Sequence, residues 1–457
     1  MPTKINMNRY CLILLCTVIF LGSCKKYLEV DGPREQLLNE DAFIDDKTAD
    51  ATATGMYTRL IGNISSLMRI SNMTADAIVD RFNSVGSQPM VNNALKADDV
   101  NVNAAWINLY QVLYAANAIL EALETSPGIS EVKKQQLRGE ARFTRAFAHF
   151  MLVNFWGRVP YITTTDVVVT SRASRMPVDE VYANIIADLK QAQTLLPVSY
   201  PTAGRARPNQ AVATALLASV YLYKQDWVNA ETESAKLIVN TAYLLPADLN
   251  TVFLRSSTET IWQLNTVNGF TTDGATYVVA SGAPLYIFRD ELMNAFEAND
   301  KRKINWVKTV TVSAVTYNSP YKYKARVLVT TPPVPPAEDL IIFRLAEQYL
   351  IRAEARAKQD NLAGAINDLD MIRSRAGLPV TNSSITKTDL LLAIEKERRV
   401  ELMAEMYHRW FDLKRTNRAD AVFGALKPAW VATAVLYPIP YLDLQRNPNM
   451  VQNPGYQ

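Results

Sequence analysis

Arg344-Leu345-Ala346-Glu347-Gln348-Tyr349-Leu350-Ile351-Arg352-Ala353-Glu354-Ala355 places small and apolar residues among charged ones at helical spacing. The pattern predicts a helix over 341–358. A short polar turn, Asp360-Asn361-Leu362, leads into a second helical stretch over 362–376. Ala353 in the first stretch and Ala365 in the second stand twelve residues apart, so two backbones meet closely across the turn. The same arrangement occurs earlier in the chain. Ala218 and Ala230 are also twelve residues apart, around Gln225-Asp226-Trp227. Two matching helical hairpins of this kind indicate tetratricopeptide-like units. They are not tandem in sequence, so a plain solenoid is not expected.

Outward from these pairs, most of the chain follows helical periodicity. Helices are expected over 45–60, 106–123, 130–155, 178–196, 209–224 and 227–240, and a long one over 388–415. Ser130, Pro177 and Pro208 stand at helix starts, and Gly157 with Pro160 closes the third stretch. Residues 241–340 differ. Ile261-Trp262-Gln263-Leu264 reads as a strand, and 307–315 with 322–329 alternate like a hairpin. Pro332-Pro333-Val334-Pro335-Pro336 is a stiff link back to the helices. The fold class is mainly α: tetratricopeptide-like hairpins form a scaffold with an irregular insert that contains short β-hairpins.

The N-terminus sets an address. Lys4 and Arg9 precede Cys11 to Leu21, an apolar run of eleven residues. A membrane-crossing helix needs about 20 residues, whereas this length suits a signal-peptide core. Leu21-Gly22-Ser23-Cys24 follows and is similar to a bacterial lipobox, which implies cleavage before Cys24 and acylation of its sulfur. The expected organisation is a removed signal over 1–23, a lipidated tether over 24–39 and one domain over 40–457, with its insert at about 241–340.

Composition excludes several classes. The net charge is +3, and loss of residues 1–23 with Lys4 and Arg9 brings it close to +1. This gives no footprint for nucleic acid. The three cysteines are Cys11, Cys16 and Cys24, so the body beyond Cys24 has no thiol nucleophile, disulfide or cysteine metal site. With only His149 and His408, a histidine-rich metal centre is excluded by count. No cofactor motif and no hydrolase motif is present.

Several blocks together carry a family resemblance. They are Arg138 to Ala146 (RGEARFTRA), Asn154 to Tyr161 (NFWGRVPY), Ala187-Asp188-Leu189, the Arg344–Ala355 stretch, Glu397 to Leu402 (ERRVEL) with Arg409 to Arg415 (RWFDLKR), and Asn447-Pro448-Asn449 with Gln452 to Tyr456 (QNPGY). In this order, with the lipobox, the chain resembles the SusD/RagB family of outer-membrane nutrient-binding lipoproteins. The resemblance implies a SusD-like scaffold and a surface location through the lipid on Cys24. It also implies a SusC-type TonB-dependent β-barrel partner and a ligand that is mostly oligo- or polysaccharide, in some members peptide.

The blocks themselves read as structural. Glu397 and Glu401 lie among Arg and Leu on a helix, and Arg398 and Arg399 are expected to bridge to carboxylates such as Glu347 or Glu354. A glycosidase needs an acid pair across an open cleft, which this pattern does not provide. No enzyme is expected. Trp106, Trp156, Trp227 and Trp410 belong to helical patterns and are assigned to the core, and His149 and His408 are assigned to packing. A sugar site needs exposed aromatic planes beside polar side chains. The candidate ligand-binding residues outside the blocks are Asp80, Arg81 and Asn83 in the polar stretch 76–93, Phe270, Tyr277 and Tyr286 in the loop 268–286, and Trp306 with Tyr317. Two binding classes remain compatible with the sequence: glycan capture for a transporter, and a lipid-anchored scaffold or peptide-uptake protein.

Overall fold

The computed structural model describes residues 42–331 and 334–456. Cys24, the signal segment 1–23, the tether 24–39 and Pro332-Pro333 lie outside these. The helices of eight residues or more are α1 (Asp46–Thr74), α2 (Val100–Thr125), α3 (Glu131–Trp156), α4 (Val178–Leu195), α5 (Gln210–Tyr223), α6 (Trp227–Ile238), α7 (Leu345–Lys358), α8 (Leu362–Arg375), α9 (Lys387–Glu401), α10 (His408–Arg415) and α11 (Ala419–Leu426). Starts follow capping chemistry. Asp45 accepts the Thr48 amide at 2.8 Å and Thr48 returns a bond, a capping box. Ser130 opens α3, and Gly157 closes it with φ of +73°, a left-handed conformation that glycine adopts at least cost.

The two hairpins have one geometry. Gln225 and Asp360 are both left-handed, with φ of 59° and 66°. Asp226 and Asn361 then cap the following helices by accepting the amides of Asn229 and Gly364. The Asp226 and Asn361 amides donate to Tyr221 and Arg356 carbonyls, each at 2.9 Å. Ala218, Ala230, Ala353 and Ala365 are all fully buried, as close backbone approach requires. The insert interrupts the repeat only in sequence. Each helix from α1 to α6 packs on the next, α6 packs directly on α7, and α7 packs on α8 and α9. Arg356 of α7 reaches Glu231 of α6 at 2.8 Å across that joint.

The insert leaves and rejoins this array through paired strands. β2 (Thr260–Leu264) runs antiparallel to β6 (Leu340–Arg344), with Thr260 opposite Arg344 and Leu264 opposite Leu340. The predicted helix over 341–358 therefore starts late, because its first residues are claimed by this ladder. The fully buried Trp262 sets β2 against α3, its ring meeting Phe143 and Phe147 edge-on at 5.0 and 5.5 Å. A predicted hairpin also moves. β4 (Val307–Val312) pairs with β5 (Val315–Pro320), turning at Ser313 and Ala314, both at positive φ. Neither residue is a usual signal for such a turn, and 322–329 is not a strand.

The long helix expected over 388–415 is two helices, α9 and α10. The break holds Ala404 and Met406 at φ of 54° and 37°. It lets Glu405 turn inward, where both carboxylate oxygens accept from Arg344 at 2.7 Å. Arg344 also meets Glu259 and Glu401 at 2.7 and 2.6 Å, while Arg302 meets Glu397 and Glu401 at 2.5 and 2.9 Å. Insert residues Glu259 and Arg302 are thus ion-paired inside the core, Glu259 to Arg344 at the end of β6 and to Arg375 of α8, and Arg302 to α9. The predicted partners of Arg398 and Arg399 also differ: Arg398 binds Asp412 at 2.8 Å and Arg399 lies 2.7 Å from Asp76, whereas Glu354 is held by Arg415.

Candidate ligand-binding surface

β1 (Ile78–Asp80) follows α1 and pairs antiparallel with β3 (Tyr286–Phe288) of the insert, with Asp80 opposite Tyr286. β3 also packs on β5, which carries Tyr317. Segments distant in sequence thereby converge on one surface. The Arg81 amide donates to Leu285 at 2.8 Å and its Nε to Pro284 at 3.1 Å. Its guanidinium lies 3.9 Å from the Phe82 ring centre and 5.4 Å from that of Tyr317. Tyr286 meets Tyr277 edge-on at 5.8 Å. Phe82 is 66% exposed, Asn83 is exposed, and Tyr286 and Tyr317 are half-buried. The result is an open aromatic platform crossed by one cation.

Asp80 is buried and shapes the loop. It accepts the Phe82 amide at 2.9 Å and the Ser87 hydroxyl at 2.7 Å, and it also accepts the Ser84 hydroxyl. Burial pushes its carboxyl up, but the Ser84 and Ser87 hydrogen bonds outweigh that and hold it below the usual carboxylate range. Asn83, at φ of 49°, turns the chain, and its carbonyl accepts Gln88 Nε2 at 2.9 Å. Below the loop, the Asp76 carboxylate accepts from Arg409 at 2.7 and 3.0 Å.

The other sequence candidates divide. Tyr277 is buried and supports Tyr286 from beneath. Phe270 is half-buried ahead of the turn that Thr271 caps and makes no ring contact with the platform. Trp306 is fully buried, so it is not positioned to meet a ligand. Its indole N–H donates to Leu249 at 3.0 Å and its ring packs on Phe253 at 5.5 Å. Tryptophan sits there because its large apolar body fills the insert's core and one buried carbonyl takes its N–H. Phe82 was missed, and the signal was an aromatic residue within the polar run Asp80-Arg81-Phe82-Asn83. Trp106, Trp156 and Trp410 are core, as expected, whereas Trp227 is only partly buried.

The acids of the sequence blocks are held in ion pairs. Glu397 and Glu401 share Arg302, and Glu401 also meets Arg344 and Arg375. Burial raises the Glu401 pKa, but the Arg375 and Arg344 charges outweigh it and hold the carboxyl far below its usual range. Among the described residues no group of three or more His, Cys, Asp or Glu stands where it would hold a metal ion, and no helix is long and apolar enough to cross a membrane.

Comparison with known proteins agrees with this architecture. Residues 26–222 match a family model described as "Starch-binding associating with outer membrane", and residues 335–456 match the "SusD family" model. SusD-like protein P2 of Formosa agariphila is 28% identical over 98% of this chain and 100% of its own length. A SusD superfamily protein from Bacteroides vulgatus superposes with a TM-score of 0.79 at 21% identity, over 90% of this chain and 99% of that one. A structure described as a laminarin-binding SusD-like protein gives 0.77 at 24% identity, over 90% and 99%. With a SusD-type helical array, a strand-stapled insert and family blocks along nearly its whole length, this chain belongs to the SusD/RagB family.

Proposed function

We propose that this protein is an outer-membrane lipoprotein, anchored through Cys24 and facing the exterior, that binds an oligo- or polysaccharide. It delivers the sugar to a SusC-type TonB-dependent transporter. The carrying observation is the pairing of β1 with β3 and the packing of β3 on β5, which together bring Arg81, Phe82, Tyr286 and Tyr317 onto one surface. Sugars offer apolar C–H faces and rings of hydroxyls. The aromatic rings match the faces, and Arg81 and Asn83 match the hydroxyls. Relatives described as starch-binding and laminarin-binding support the substrate class. The ion-paired state of Glu397 and Glu401 supports binding without bond cleavage.

The test is calorimetric titration of residues 25–457 with malto- and laminari-oligosaccharides. Binding that weakens in Phe82→Ala and Tyr317→Ala, with the sugar recovered intact, supports the reading. Turnover of the sugar would end it, and so would competition by peptides in place of glycans.

A further inference from the structure

A cavity lies where the blocks Asn154–Tyr161, Arg409–Arg415 and Gln452–Tyr456 meet. The C-terminus of α3, the segment 174–178, α10 and the segment 449–454 line this open cavity of about 690 Å³. Arg158, Arg175 and Lys414 line it, and among the described residues none of the three is in an ion pair. The acids on the surrounding helices are taken elsewhere. Glu354 and Asp412 are held by Arg415 and Arg398, and Asp179 by Lys224.

Part of the charge has a structural partner. Lys414 donates to the Asn154 carbonyl, and Arg175 donates to Trp156 at 3.4 Å, Arg158 at 2.7 Å and Val451 at 2.6 Å. Asn154 and Trp156 close α3, so these are helix C-terminal carbonyls. A helix C-terminus offers the equivalent of about half a negative charge, which the Arg158 and Arg175 guanidiniums alone exceed several-fold. Arg158 spends one donor, on Arg175, and Lys414 one of its three, so N–H groups remain for a ligand. Burial together with the Arg158 charge lowers Arg175 to about 10, and burial lowers Lys414 to about 7. Both shifts mark cations that lack a counter-charge.

We propose that this cavity is an oxyanion site that takes the sulfate or carboxylate group of an acidic sugar. Arg158 supplies the standing charge, Lys414 gains its full charge when an anion arrives beside it, and the cavity volume, within the usual range for small-molecule pockets, admits the ring that carries the group. The site shares no residue with the aromatic platform and stands independently of it.

The experiment titrates residues 25–457 with glucuronic acid, galactose 6-sulfate, inorganic sulfate and glucose, followed by calorimetry. The acidic sugars are expected to bind at millimolar or better and glucose not to bind. R158Q/K414Q is expected to weaken the acidic sugars at least tenfold, with circular dichroism unchanged. Because Arg158 is exposed, the single variant Arg158→Glu tests the site without threatening the fold and should also lose binding. Equal binding in both variants, or binding of inorganic sulfate with neither acidic sugar, overturns the proposal.

Discussion

Asp80 stands directly across the β1–β3 pair from Tyr286, although helices α2 to α6 lie between them in the chain. One residue shapes the loop while the other offers a ring beside it. Asp80→Ala removes the acceptor for Phe82, Ser84 and Ser87. The loss is expected to cost about 1–3 kcal/mol locally and to weaken glycan binding by freeing Phe82. Hydrogen exchange over 80–87 should rise in this variant. If exchange stays at the wild-type level, the loop is held by other contacts.

Phe82→Ala and Trp306→Ala should part company. Phe82 is mostly exposed, so truncation should leave the thermal midpoint within a degree or two and weaken oligosaccharide binding about five- to tenfold. Trp306 is fully buried, and its truncation should cost about 3–5 kcal/mol of stability. Paired melting and titration of both variants checks this; the reverse pattern would mean that Trp306, not Phe82, meets the ligand.

His149 predicts a pH dependence of stability. Its Nε2 accepts the Ile162 amide at 3.2 Å and its Nδ1 faces the Arg145 carbonyl at 3.0 Å, so the ring fits only as the neutral tautomer. Burial lowers it from 6.5 to about 3. Between these values the unfolded chain binds a proton that the folded chain refuses. Stability from this group is complete above pH 6.5 and is lost as pH falls toward 3, at up to about 1.4 kcal/mol per pH unit. Urea midpoints at several pH values should fall less steeply in His149→Gln. An unchanged slope would show that His149 does not titrate in this window.

Arg344→Met strips the partner shared by Glu259, Glu401 and Glu405. Glu259 and Glu401 keep Arg375, and Glu405 keeps Lys322, but the buried cluster then holds more acid than base, which is expected to cost about 3–5 kcal/mol. The insert should loosen first, because Arg344 ties its residue Glu259 to Glu401 and Glu405 of the helical core. Limited proteolysis should then cut within 241–340 before the helices. Uniform cutting along the chain would show that the network does not hold the insert separately.

On the proposed lipid anchor, Cys24→Ala should shift the protein from the membrane fraction to the soluble fraction, because acyl chains supply enough buried CH₂ groups to hold a chain at a bilayer. Metabolic labelling with a fatty acid analogue should mark only the unsubstituted chain. Retention of the variant in the membrane would require another attachment.

The helices and both hairpin turns were legible because periodicity and caps are local. Ala218, Ala230, Ala353 and Ala365 announce close packing by their size alone, and Asp226 and Asn361 announce helix starts. The family was likewise readable, from contiguous blocks. Three things were not. The stacking of α6 on α7 across the insert, the ladder that converts 340–344 into a strand, and the burial of Trp306 depend on residues far apart in the chain. The candidate surface divides the same way. Asp80, Arg81, Asn83, Tyr286 and Tyr317 were selected by residue type, but only strand pairing sets them side by side. Residue type states what a side chain is able to contact; long-range packing decides whether it reaches solvent, and that choice is made by the whole array at once.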